Sequence, residues 1–138
     1  MSLPLQLVSP PRVGTARRYL MCPPWYFAVS YAINPWMDPT RPIDATLAMK
    51  QWTALVDTYR ALGHTVELIN PEPGLPDMVF AANGATVIDG TVLGVRFRNA
   101  ERAAEAQHYR NWLLAHSVPD VVIPSAVNEG AGDLMWTG

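Results

Sequence analysis

Asp44 to Pro71 reads DATLAMKQWTALVDTYRALGHTVELINP, and this stretch decides the fold class. Asp44 stands where a helix N-cap belongs, because a short carboxylate can accept from the free N–H groups of a first turn. Gly63 stands where a helix stops, since the residue after a helix often needs a left-handed backbone. Between them Ala48, Trp52, Leu55, Val56, Tyr59 and Leu62 recur at steps of three and four, which lays out one apolar face at helical period. Lys50, Gln51, Asp57 and Arg60 fall mostly elsewhere. His64 to Ile69 then alternates and ends at Asn70-Pro71, which predicts a strand.

Working outward, Arg17 to Cys22 reads as a short strand stopped by Pro23-Pro24. The long loop that follows carries Trp25, Tyr26, Phe27, Tyr31 and Trp36, and is expected to cover the core or to form a lid over a pocket. Past Pro71, Ala85 to Ile88 and Thr91 to Val95 flank Asp89-Gly90, a two-residue hairpin signal. Asn99 is placed to cap a second helix from Ala100 to about His116, and Val121 to Ile123 reads as a further strand. Leu134-Met135-Trp136 reads as the start of one more. Long helices between short strands give an α/β class. A last strand without its partner would leave an open edge, so the sequence reads as one part of a longer fold. Residues 1–16 read as a flexible arm and 17–138 as one structural unit.

With 138 residues the chain is of single-domain size, and its 49% hydrophobic share can fill a core. Ten basic residues against twelve acidic give −2, which offers no basis for a nucleic-acid or anionic-membrane partner. The one cysteine, Cys22, excludes an intrachain disulfide and any CxxC site, and no metal-ligand spacing occurs. Cys22 itself reads as a buried, inert thiol, and His108 and His116 as surface residues. No apolar run reaches the ~18 residues that span a bilayer, and the N-terminus has no secretory apolar core, so a cytoplasmic setting is expected. Thirteen prolines predict stiff, long loops.

Three segments put polar side chains beside small or apolar ones at strand ends: Ile33-Asn34-Pro35-Trp36-Met37, Pro76 to Gly84 followed by Arg96 to Asn99 with Glu101-Arg102, and Glu129-Gly130-Ala131-Gly132-Asp133. A polar group buried in such a place must find a partner in the protein or in a ligand. Each also has a plain reading. Asp77 after Pro76, Asn34 before Pro35 and Asn83 before Gly84 all suit tight turns. Glu129 suits a surface charge, and Arg102 with Glu105 suits a pair on a helix surface. Arg96 and Arg98 are expected on opposite faces of a strand end, so that at most one enters a pocket.

In their order, Met21-Cys22-Pro23-Pro24, Tyr31-x-Ile33-Asn34-Pro35-Trp36-Met37, Asp77-x-Val79-Phe80-x-x-Asn83-Gly84, Phe97-Arg98 and Glu129-Gly130-x-Gly132-Asp133 resemble the guanidine-modifying superfamily. That group includes arginine deiminases, dimethylargininases, amidinotransferases and arginine dihydrolases. The resemblance implies a pentein-like α/β propeller of ββαβ modules, of which this chain matches roughly the N-terminal half. It implies a cysteine thiolate that attacks the guanidinium carbon and a histidine that shuttles protons, both beyond Gly138, and no cofactor. By motif, Asn34, Asp77 and Asn83 become substrate contacts and Arg96 a residue for the substrate's amino-acid end or for loop order. Glu129 becomes the carboxylate that orients the histidine and holds the guanidinium, with Asp133 in support. The resemblance favours an arginine dihydrolase, on Asn83 and the segment around Asn34, over a dimethylargininase. The partner implied is a small guanidine such as arginine or methylarginine, with a homo-oligomer as a candidate state. The alternative is a non-catalytic half-propeller that binds or assembles.

Overall fold

A computed structural model describes residues 14–116 and 120–137. Its first unit is β1 (Arg18–Met21), α1 (Ala45–Ala61) and β2 (Thr65–Leu68), with β1 and β2 parallel in the register Arg18↔Thr65 to Met21↔Leu68. Both ends of α1 follow the sequence. The Asp44 side chain accepts from the Leu47 N–H at 2.8 Å, and Gly63 takes φ +83° while its N–H reaches the Arg60 carbonyl at 2.9 Å. Arg18 closes the open side of the strand pair through both Glu67 oxygens, at 2.8 and 2.9 Å.

The second sheet pairs β3 (Thr86–Ile88) antiparallel with β4 (Thr91–Leu93), and β4 parallel with β5 (Val121–Val122). Asp89 and Gly90 at the hairpin tip have φ of 49° and 79°, the pair of left-handed residues that fits the twist of a tight hairpin. The crossover from β4 to β5 contains α2 (Ala100–Ala103) and α3 (Glu105–Ala115). The sequence predicts one helix here. The structure breaks it at Ala104, because the first turn is wound tightly, with the Arg102 N–H on the Asn99 carbonyl only three residues back. Asn99 precedes α2 but makes no side-chain cap bond.

Two apolar clusters form the core. Cys22, Ile69, Met78 and Tyr109 make one, and Val92, Leu113 and Val121 the other, with Trp112 packed against both. Helix α3 therefore joins the two sheets. Tyr109 is held by its hydroxyl on the Met78 carbonyl at 2.6 Å, and its ring lies so close to Gly84 that a Cβ there would meet it at 2.5 Å.

Other expectations change. Leu134 to Trp136 form no strand and stand exposed, unpaired with either sheet. Trp25 and Trp36 are 62% and 88% exposed, so the aromatic loop covers the core only through Phe27, which meets Phe80 edge-on, and the half-buried Tyr31. Most of the 1–16 arm lies outside the described residues, and 14–16 are exposed without regular structure. Among the described residues no helix is long and apolar enough to cross a membrane.

Candidate active site

Three single turns of 3₁₀ helix carry the site. In the first, Pro76–Val79, a proline at the opening position fixes φ, and Asp77 follows it at 4% exposure. Asp77 Oδ2 accepts from the Tyr31 hydroxyl at 2.9 Å. The second turn, Ala81–Asn83, ends on half-buried Asn83, whose Nδ2 donates to the Glu129 carbonyl at 3.0 Å. Glu129 leads into the third, Gly130–Gly132. The second and third turns touch at Gly130. Its φ is +57°, and a Cβ there would stand 2.8 Å from the Ala82 carbonyl, so both conformation and space demand glycine. Asp133 fixes this loop by accepting from the Glu129 N–H at 2.8 Å, and Asn128 by accepting from the Gly130 N–H at 3.2 Å.

At the centre lies a residue not expected there. Arg102 is 5% exposed and Glu105 is fully buried, so the helix-surface reading of this pair is wrong. The guanidinium donates from Nε and Nη2 to the two Glu105 oxygens at 3.0 and 2.9 Å. Nη2 also reaches the Asp77 carbonyl at 3.4 Å, and Nη1 the Asn83 Oδ1 at 3.3 Å. Its Cζ lies 4.3 Å from the centre of the Phe97 ring. The Asp77 and Glu129 carboxylates stand further off, at 3.9 and 4.0 Å.

Three carboxylates thus share one cation. Burial works against the charge of Arg102, but Glu105 and then Asp77 and Glu129 outweigh it and hold its pKa above the ordinary arginine value. Burial also pushes Glu105 above the usual carboxylate range; Arg102 pulls the other way, and the two neighbouring acids add to the rise. Both directions fit a site with more carboxylate than cation. Among the described residues, Asp77 Oδ1 and the Glu129 carboxylate accept no hydrogen bond. They are the free acceptors of the cluster.

The structure therefore gathers Asp77, Asn83, Glu129 and Asp133 from three distant segments. It does not bring Asn34 to them. Asn34 is exposed and folds into a local turn, its Oδ1 on the Trp36 N–H at 3.0 Å. Arg96 is exposed too, pairing its backbone with Asn128 and placing Nη1 3.2 Å from the Ser125 carbonyl, so it braces the strand that leads into Glu129. Arg98 shares its outer face, as residues two apart on an extended chain must. Cys22 is wholly buried with its thiol pushed up to about 12, by burial first and by Glu105 second, which makes it inert as expected. His108 lies 3.5 Å from Glu72 and His116 stacks on Trp112 at 3.8 Å, both away from the cluster. Among the described residues no group of three side chains could hold a metal ion.

Reading by sequence overlooks Tyr31, Arg102 and Glu105. For Glu105 a signal exists: it stands four residues before Tyr109 and eight before Leu113, on the one buried face of α3.

The same turns and sheets occur in solved proteins. Arginine dihydrolase AgrE in complex with L-arginine superimposes with a TM-score of 0.78 at 34% identity, over 84% of this chain and 18% of that one. The N(G),N(G)-dimethylarginine dimethylaminohydrolase of Mycobacterium tuberculosis is 48% identical over 127 residues, 92% of this chain and 42% of its own length. The bifunctional arginine dihydrolase/ornithine cyclodeaminase ArgZ of Synechocystis is 36% identical over 121 residues, 86% of this chain and 17% of its own. The chain is a homologue of the N-terminal part of these guanidine-modifying enzymes. It spans less than half the length of each. No protein-family model matches it. Its fold is a partial α/β propeller of the pentein kind, as the sequence predicts.

Proposed function

We propose that this chain supplies the substrate-holding half of a cysteine-dependent hydrolase that acts on the guanidine group of arginine or a derivative. The observation that carries the reading is the convergence of Asp77, Asn83 and Glu129 on one planar cation, with carboxylate acceptors left over. A guanidinium has five donors fixed in one plane, and only acceptors set in that plane can meet it. The cluster already holds one such group, Arg102, and its excess negative charge suits a second. Asp77 and Glu129 would clamp the substrate's guanidinium, and Glu129 would also orient the catalytic histidine. Asn83, whose amide both donates and accepts, would meet the ureido group as well as the guanidinium. Asp133 would hold the Glu129 loop. Asn34 and Arg96 would serve the substrate's amino-acid end and would have to move inward to do so. Arg102 keeps one N–H free, after four bonds to protein, for an anionic group of the substrate.

The nucleophile is a thiolate outside these residues, because Cys22 is buried and protonated. With a thiolate and water as successive nucleophiles the reaction needs no cofactor. Asn83 favours two rounds of attack, taking arginine through citrulline to ornithine. Dimethylarginine is the second reading, favoured by the 48% identity to the mycobacterial enzyme. The test is to supply the full-length protein with arginine, citrulline and dimethylarginine in turn and to quantify ornithine and citrulline. Ornithine from arginine supports the dihydrolase. Turnover of dimethylarginine with no ornithine supports the second reading, and no turnover at all leaves the binding or assembly module.

Self-association is part of the same proposal. Ile123, Met135 and Trp136 are 70%, 88% and 62% exposed, apolar side chains that a second copy of the chain could cover. The 138-residue chain should sediment as more than a monomer and bind an apolar dye. A monodisperse monomer without dye binding refutes this.

A further inference from the structure

The loop between β1 and α1 reaches the site through one polar contact. Tyr31, half-buried, donates its hydroxyl to Asp77 Oδ2 at 2.9 Å across 46 residues of sequence. Its neighbours in the loop face outward: Trp25, Tyr26, Asn34 and Trp36 are all exposed. The loop's only aromatic contact with the 76–83 turns is the edge-on meeting of Phe27 and Phe80, at 5.9 Å between ring centres. Asp77 sits on a single helical turn, and its side chain has two rotatable bonds to fix before it can aim at a ligand. Arg102 does not fix it, since Nε is 3.9 Å from Oδ2, too far for a hydrogen bond. The phenol does. A carboxylate can only accept, so Tyr31 must be the donor. Burial, with Asp77 beside it, pushes the phenol well above the ordinary tyrosine range, which keeps the proton on it. The bond takes one oxygen of Asp77 and leaves the other, Oδ1, without a hydrogen-bond partner among the described residues.

We propose that Tyr31 is a positioning residue, whose hydroxyl sets the rotamer of Asp77 for a guanidinium and at the same time ties the 23–43 loop to the site. The guanidinium clause rests on the function proposed above; the tie does not. It follows that loop order and carboxylate aim are one equilibrium: a loop that leaves frees Asp77 to turn, and a ligand that fixes Asp77 holds the loop.

The experiment uses the full-length protein as wild type, Tyr31→Phe, Asp77→Ala (which removes the acceptor) and the double variant, with Tyr26→Phe as a control on the same loop. Amide exchange across 23–43 is measured by mass spectrometry. It should quicken about tenfold in Tyr31→Phe, as for loss of one hydrogen bond to a charged group. It should quicken similarly in Asp77→Ala, no further in the double variant, and not in Tyr26→Phe. In steady-state kinetics Tyr31→Phe should raise KM for the preferred guanidine about tenfold and change kcat by less than about threefold. Unchanged exchange in Tyr31→Phe, additive effects in the double variant, or an unchanged KM each overturn the proposal. A wild type inert toward all three substrates overturns the function instead, and the exchange cycle still decides the tie.

Discussion

Helices α1 and α3 differ in a way that runs against their sequences. α1 has 17 residues, a hydrogen-bonded Asp44 cap and a glycine stop, yet Val56 is its one buried residue, and Leu47, Leu55 and Leu62 are 48%, 44% and 67% exposed. α3 has 11 residues and no side-chain cap, yet it buries Glu105, Tyr109 and Leu113 and serves both core clusters and the site. Local pattern measures how readily a segment forms a helix. It does not measure how much the rest of the molecule depends on it. α1 leans more on its caps, packing through Val56 and the half-buried Ala48, Met49, Trp52 and Tyr59. The stability of α3 comes from what packs around it.

This contrast can be broken at its strong end first. Glu105→Ala leaves Arg102 buried without its bidentate partner, and should lower stability by about 3–5 kcal/mol in denaturant unfolding. A loss under about 1 kcal/mol would mean that Arg102 swings out to water and that the buried pair is not the anchor. Gly84→Ala should cost about 1–3 kcal/mol, because the new methyl group meets the Tyr109 ring. Adding Tyr109→Leu should recover part of it by making room. The alkaline effect of Cys22 is of similar size and graded with pH. Its thiol titrates near 12 when folded against about 9 when free, so above pH 9 the unfolded chain releases a proton that the folded one retains. Stability from this group is therefore full below pH 9 and falls by about 1 kcal/mol per pH unit from 9 toward 12. Cys22→Ala should flatten that slope in urea titrations repeated at each pH. On α1, Asp44→Ala should cost about 1 kcal/mol, since the cap bond is lost while its backbone partners remain. At the weak end, Leu62→Ser should shift stability by less than about 0.5 kcal/mol.

Those magnitudes mirror what could be read in the chain. The capped helix, the 64–69 strand and the Asp89-Gly90 hairpin were legible because each is specified by neighbours within a few residues. Asp77, Asn83, Glu129 and Asp133 were legible only as a set whose order resembles known enzymes; nothing near Asp77 shows that it meets Tyr31. Arg102 and Glu105 were misread because i,i+3 spacing is the same for an exposed pair and a buried one. What differs is the surroundings, with Phe97, Asp77 and Asn83 closing over Arg102. The strand expected at Leu134 fails for a like reason: a short apolar run specifies no partner, and these residues pair with neither sheet.

The two contacts that shape the site, Tyr31 to Asp77 and Asn83 to Glu129, each close a span of 46 residues. Closing spans of that length costs chain entropy that is recovered only when both ends are in place. Helices and hairpins form in microseconds from local contacts, so these two contacts are expected after α1 and the β3–β4 hairpin, in company with the β1–β2 pairing of similar span. Substitutions at Asn83 or Tyr31 should accordingly hasten unfolding while leaving the folding rate nearly unchanged, and a newly made chain acquires its helices and hairpin before the cluster of Asp77, Asn83 and Glu129 is assembled.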